Sequence, residues 1–274
     1  MGTASRRDFR GRHVVVTGAA GGLGRALSLR FGDAGAAIAA LDRDRDALDD
    51  LAEELGGRGI RHHAATCDVA DEAAVRAALA SARQALGPID VLINNAGITQ
   101  RSLLARTQPA VIRRVMEVNF LGALHCTHES LPDLLVRGGM VIAISSVAGF
   151  SPLLARTGYA ASKHALHGFF DSLRSEVESG GVDVMLVCPS FIDTGIEKAA
   201  LSGDGTPVSH GQAVVGTRAT PGGIADRIYR AAEKRKRLLL PGRIPHLAWW
   251  ISRLAPGLYS RLMVRSQRAE LDAG

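Results

Sequence analysis

The chain has 274 residues, of which 46% are hydrophobic and 22% charged, and a formal net charge of +6. Those proportions are ordinary for a globular protein and exclude disordered, collagen-like and low-complexity chains. The charge belongs to the tail: residues 226–274 hold eleven Lys/Arg against four Asp/Glu, and the remainder 22 against 23, so a nucleic-acid partner is not expected.

No apolar run approaches the roughly 18 residues of a membrane span, and the opening MGTASRRDFR is polar and basic. No secretion signal is expected, and the setting expected is cytoplasmic. Cys67, Cys126 and Cys188 are odd in number and lie far apart, which supports neither a disulfide framework nor a zinc site. No metal is expected, because the histidines show no ligand spacing with Cys or carboxylates. His164 and His167, three residues apart, read as outer-face or interface residues of a helix.

In chain order, a β-branched run over 13–17 predicts a buried strand, followed by a glycine turn and a helix over 23–33. A strand over 36–41 and a helix over 44–55 follow, the latter with Leu48, Leu51 and Leu55 on one stripe. A weak strand over 61–67 precedes a helix over 71–86, with Asp71 as N-cap and Gly87-Pro88 as the stop. Strands are predicted over 90–93, 140–145 and 183–188, with long helices over 108–136 and 159–178. Strands alternating with helices predict a single α/β domain over 1–274: a Rossmann-type, doubly wound parallel sheet with helices on both faces. The glycine-rich stretch 195–220 reads as a mobile loop over the ligand, and 234–274 as a basic amphipathic extension.

Residues 17–24 read Thr-Gly-Ala-Ala-Gly-Gly-Leu-Gly between strand and helix. Gly18 permits the turn, Gly22 allows close backbone approach to a diphosphate, and Gly24 allows helix and sheet to pack. The helix start then offers unpaired N–H groups to phosphate. Asp42, 18 residues after Gly24, can accept the adenosine ribose hydroxyls and repels a 2′-phosphate. NAD is therefore expected in preference to NADP, although Arg43 beside it keeps NADP open. Asp68, after the third strand, reads equally as an adenine contact or a helix cap.

Tyr159 and Lys163 stand four residues apart on one helix face. The Lys163 cation together with a positive nicotinamide ring would lower the phenol's pKa, which would fit Tyr159 for proton transfer at an alcohol or ketone. Ser146, after the fifth strand, can hold the reacting oxygen. Asn119, amid Val118, Phe120 and Leu121, reads as a buried amide holding water.

Together these residues resemble the short-chain dehydrogenase/reductase family: Thr-Gly-x-x-x-Gly-x-Gly at 17–24, Asn-Asn-Ala-Gly at 94–97, Asn119, Ser146 and Tyr-x-x-x-Lys at 159–163. The resemblance spans residue 13 to about residue 195. It implies NAD(P)-dependent hydride transfer between an alcohol and a ketone, with Asn119, Ser146, Tyr159 and Lys163 as a catalytic tetrad. It also implies cofactor contacts at Gly18, Gly21, Gly22, Leu23, Gly24, Asp42, Arg43, Asp68, Val69, Asn95, Ala96, Gly97, Tyr159, Lys163, Ile192 and Thr194. Asn95 to Gly97 would lie near the adenosine ribose. Ser190 stands where the family usually has Gly, and Gly21 where a basic residue or Ser is common. A homodimer or homotetramer is implied through the helices over 108–136 and 160–178.

The run Tyr159-Ala-Ala-Ser-Lys-His-Ala-Leu-His-Gly-Phe-Phe170 is similar to the membrane-associated branch with 11β-hydroxysteroid dehydrogenase and the dehydrogenase/reductase member 7 group. That likeness implies a hydrophobic, steroid- or lipid-like substrate. The alternatives are an NADPH-dependent reductase of a lipid ketone or acyl substrate and a non-catalytic NAD(H)-binding redox sensor. In the tail, Leu247, Trp250, Ile251, Leu254 and Leu258 recur at helical spacing beside arginines. This reads either as closure of a pocket or interface, or as peripheral contact with an anionic membrane.

Overall fold

The computed structural model describes residues 6–195, 200–208 and 218–268. Seven parallel strands form one sheet in the order β3-β2-β1-β4-β5-β6-β7. They are β1 (His13–Thr17), β2 (Ala37–Asp42), β3 (His62–Thr66), β4 (Val91–Asn94), β5 (Met140–Ile144), β6 (Asp183–Val187) and β7 (Leu238–Leu239). The short seventh strand was not among the sequence expectations. It pairs Leu239 with Val187.

Alternation along the strands fills two cores. Val14, Val16, Ile38, Ala40, Ile142 and Met185 face one layer of helices, α1 (Gly22–Asp33), α2 (Arg45–Gly57) and α7 (Pro221–Glu233). Val15, Ala39, Leu41, Val141, Ala143 and Leu186 face the other, α3 (Glu72–Leu86), α5 (Gly122–Arg137) and α6 (Thr157–Val177). Strands buried on both faces have to be mostly apolar, and the central strands β1, β2, β4, β5 and β6 are, whereas the edge strand β3 is only partly buried. Each fully buried Leu or Ile contributes roughly 1.5–3 kcal/mol. Phe170 of α6 is fully buried in this second core.

Capping fixes where helices start. Asp44 accepts from the Ala47 amide, and Asp71 from the Ala73 and Ala74 amides. Each cap is worth about 1 kcal/mol.

The helix expected over 108–136 is instead two helices, α4 (Pro109–Met116) and α5, joined by a π turn over Glu117–Leu121. The extra residue turns Asn119 inward, where it is buried. Apolar periodicity does not register one inserted residue, which is why the sequence reads as continuous. After β7 come α8 (Arg243–Leu254) and α9 (Pro256–Ser266), separated at Ala255-Pro256. Half of the loop expected over 195–220, residues 196–199 and 209–217, lies outside the described residues.

Candidate active site

A cleft of about 800 Å³ opens at the carboxyl ends of β1, β4, β5 and β6. All predicted cofactor contacts line it: Gly18, Gly21 to Gly24, Asp42, Arg43, Asp68, Val69, Asn95 to Gly97, Ile192 and Thr194. So do Ser146, Tyr159 and Lys163.

The glycine turn is built for close approach. Gly18 has φ +62°, and a Cβ on it would come within 2.8 Å of the Ala96 backbone. A Cβ on Gly22 would come within 2.8 Å of Thr194 Cα. Gly24 has no room because of the Gly18 carbonyl. Gly21 is not sterically required, since its Cβ would meet only the Gly18 oxygen, at 3.7 Å. No side chain caps the start of α1, so its first amides are left for an anion in the cleft.

Asn95 serves this turn. Its amide donates to the carbonyls of Thr17 at 2.9 Å and Gly18 at 3.0 Å. Thr17 Oγ1 accepts from the Asn95 and Ala96 amides. Asn95 thereby has a structural role that locks β1 to β4.

Asp42 accepts from the amides of Ala20 and Asp44. Each carboxylate oxygen keeps a lone pair for a ribose hydroxyl. Asp68 is held by its own loop and by α4. It accepts from Ala70 N–H and pairs with Arg114 at 2.8 Å. Burial pushes its carboxyl up, but the Arg114 and Ala70 hydrogen bonds bring it below its ordinary value. The uncapped helix start, the glycine turn and the Asp42 carboxylate together fit a nicotinamide dinucleotide.

Lys163 is buried, and its Nζ donates to the Ile144 carbonyl at 2.9 Å. Burial lowers its pKa to about 8. Its ammonium nitrogen lies 5.7 Å from the Tyr159 ring centre. Among the chain's own groups, burial outweighs any lowering of the Tyr159 phenol. Burial raises it above its ordinary value, and the Ser146 hydrogen bond and the Arg156 charge offset this only in part. Sequence spacing put the cation near the phenol but carried no information on desolvation, which dominates here.

The amide of Asn119 bonds within the chain. Its Oδ1 accepts from Ile98 N–H at 2.8 Å, and its Nδ2 donates to Ile98 O and Ser162 Oγ, both at 2.9 Å. The side chain thereby pins the segment after β4 to α6.

Several residues escaped the sequence reading. Gln100, fully buried, accepts the Tyr159 amide on Oε1. Arg156, buried in the cleft wall, carries charge toward Tyr159. His167, expected on the outer face, points inward to Ser145 and Cys188. None carries a motif signal, because each acquires its role only when strand ends meet α6. Apolar Ile244, Leu247, Ala248, Ile251, Leu262 and Met263 of α8 and α9 close the far side of the cleft.

The short chain dehydrogenase profile matches residues 12–204. Dehydrogenase/reductase SDR family member 7B of Bos taurus is 39% identical over 273 residues, covering 97% of this chain and 84% of that protein. A short-chain dehydrogenase from Streptomyces avermitilis superposes with a TM-score of 0.80 at 27% identity, covering 94% of this chain and 97% of that one. A short-chain dehydrogenase/reductase from Burkholderia phymatum, solved in complex with NAD, superposes with a TM-score of 0.82. It is 24% identical, covering 92% of this chain and 96% of that one, and so supports the fold alone.

Proposed function

Because this chain belongs to the short-chain dehydrogenase/reductase family and is an NAD(P)-dependent oxidoreductase, we propose that it interconverts a hydrophobic secondary alcohol and its ketone. The observation that carries this reading is the convergence of Ser146, Tyr159 and Lys163 at the inner end of a largely apolar cleft. A bound nicotinamide dinucleotide supplies the hydride donor or acceptor. Gly18 to Gly24 would seat its diphosphate, Asp42 its adenosine ribose, and Lys163 its nicotinamide ribose.

The chain's own groups handle the proton. With its pKa raised, the Tyr159 hydroxyl keeps its proton at neutral pH and donates it to the oxygen of a ketone undergoing reduction. Ser146 Oγ holds that oxygen and stabilises the charge that develops on it. Lys163, largely protonated below pH 8, keeps a positive charge behind the phenol. Oxidation of an alcohol runs the same transfers in reverse.

We read the cofactor as NAD, through Asp42. Replacing Asp42→Ser is expected to weaken NADH and tighten NADPH by about tenfold each, roughly 1.4 kcal/mol. Fluorescence titration with both dinucleotides measures this. An unchanged ratio would mean that Arg43 sets the preference and that the chain is an NADPH-dependent reductase.

The apolar cleft wall supports a lipid- or steroid-like substrate, and a second observation supports its delivery from a membrane surface. Leu247, Trp250, Leu254, Leu258 and Leu262 stand exposed on α8 and α9. Residues 234–268 carry nine Lys/Arg and no Asp or Glu. No helix among the described residues is long and apolar enough to cross a membrane, so the contact proposed is peripheral. Co-sedimentation with phosphatidylserine-containing vesicles is expected, weakened by salt. The double substitution Trp250→Asp with Leu254→Asp should reduce it by roughly tenfold or more. Absence of sedimentation at low salt would remove this part of the reading.

A further inference from the structure

We propose that His167 is a positioning residue for the catalytic centre: its imidazole, held against Ser145 and Cys188, keeps in register the chain ends that carry Ser146, Tyr159 with Lys163, and residues 189–194. The inference rests on Tyr159 as the proton carrier.

His167 follows Lys163 by one turn of α6 and Tyr159 by two, so all three share a face. Its Nε2 lies 3.1 Å from Ser145 Oγ and 3.4 Å from Cys188 Sγ. Those contacts tie the middle of α6 to the ends of β5 and β6. Ser145 sits between Ile144, whose carbonyl accepts from Lys163 Nζ, and Ser146. Cys188 immediately precedes Pro189, which opens the segment along the cleft.

Ser145 Oγ donates its one proton to the Lys163 carbonyl at 3.4 Å. The serine oxygen is then free to accept from Nε2–H of His167.

Space has been left for this ring. A Cβ on Gly149 would lie 2.8 Å from His167 Cδ2 and Nε2. On the other side the Phe150 ring meets the imidazole edge-on, with centres 6.3 Å apart. Trp249 of α8 stacks edgewise on Phe150 at 4.9 Å, and Arg253 lies 3.1 Å over Trp249. The tail thus packs over Phe150 and leaves the histidine partly buried. Burial brings His167 down to about 4. Asp171 opposes this, while the charges of His164, Arg253 and Arg174 reinforce it. The ring is neutral across the working range.

A displacement of about 1 Å at a reacting group costs on the order of a hundredfold in rate, so a link that sets Ser146 against Tyr159 matters without touching substrate. The chain has three tyrosines, so phenolate absorbance can be assigned to Tyr159 by subtracting a Tyr159→Phe control. The measurement is made on NAD-saturated protein after a rapid pH jump, before alkaline unfolding.

His167→Phe, which keeps the bulk and removes the hydrogen bonds, is expected to move the Tyr159 titration up by about one pH unit. Ser145→Ala removes the same link from the other side and should give the same shift. His167→Gln, which restores a side-chain N–H, should return most of it. Turnover with NADH and 2-decanone should fall about tenfold in His167→Phe, with NADH affinity unchanged. An unshifted Tyr159 titration in His167→Phe would overturn the proposal, as would a His167→Gln shift as large as that of His167→Phe. Full turnover by Tyr159→Phe would instead overturn the assigned role of Tyr159, a result independent of the histidine titration.

Discussion

Tyr159→Phe is expected to reduce turnover by roughly 10²–10⁴-fold, about 3–5 kcal/mol of transition-state stabilisation. The substitution removes one oxygen and keeps the ring, so the packing of α6 is preserved. NADH affinity should stay within about twofold, because Gly18 to Gly24, Asp42 and the retained Lys163 supply most of the cofactor seat. Thermal stability should hardly change, since the phenol loses only its hydrogen bond with Ser146. Steady-state kinetics with an active ketone and cofactor fluorescence titration read the two quantities separately. Retained turnover would remove Tyr159 from proton transfer. Wild-type protein that binds cofactor but turns over no alcohol or ketone would favour the redox-sensor alternative.

The largest expected effect on stability lies at the opposite end of the sheet. Asp90 is buried just before β4. Its carboxylate accepts from the His13 amide at 3.0 Å, from Arg12 at 2.9 Å and from Arg137 at 3.0 Å. Its own carbonyl accepts from the Met140 amide, so one residue ties together the starts of β1, β4 and β5. Asp90→Ala leaves a buried amide without its acceptor and two half-exposed guanidinium groups that water can partly recover. A loss of about 3 kcal/mol is expected, or a fall of roughly 6–9 °C in Tm.

The pH dependence has a definite sign. Burial alone would raise the Asp90 carboxyl, but the His13 amide and the two arginines bring it below its ordinary value. A carboxyl depressed in the folded state stabilises above its unfolded value of about 3.9. That stabilisation is lost as pH falls through the folded value. The gap between wild type and Asp90→Ala should therefore be full at pH 7 and should narrow below about pH 4. Equal Tm values at pH 7 would refute this account of Asp90.

The two sites differ in how they could be read in advance. Tyr159 announces itself by its spacing to Lys163 and by arriving with the glycine turn and Ser146. Asp90 gives no such signal, since an acid before a strand is more often solvated. Its partners Arg12 and Arg137 are 78 and 47 residues away. Only the parallel register of β1, β4 and β5 brings them together.

The amino-acid sequence by itself determined the alternation of strands and helices, the parallel sheet, the glycine turn and the Tyr159–Lys163 pair. Those features follow from local periodicity, helical spacing and the conformational demands of glycine, all carried by near neighbours. The tertiary structure decided the π turn that buries Asn119, the inward course of His167 and the raised Tyr159 phenol. It also brought α8 and α9 against the cleft. These depend on which groups from distant segments share a space and on how much water is excluded there, and desolvation acts through three-dimensional neighbours that spacing along the chain does not encode.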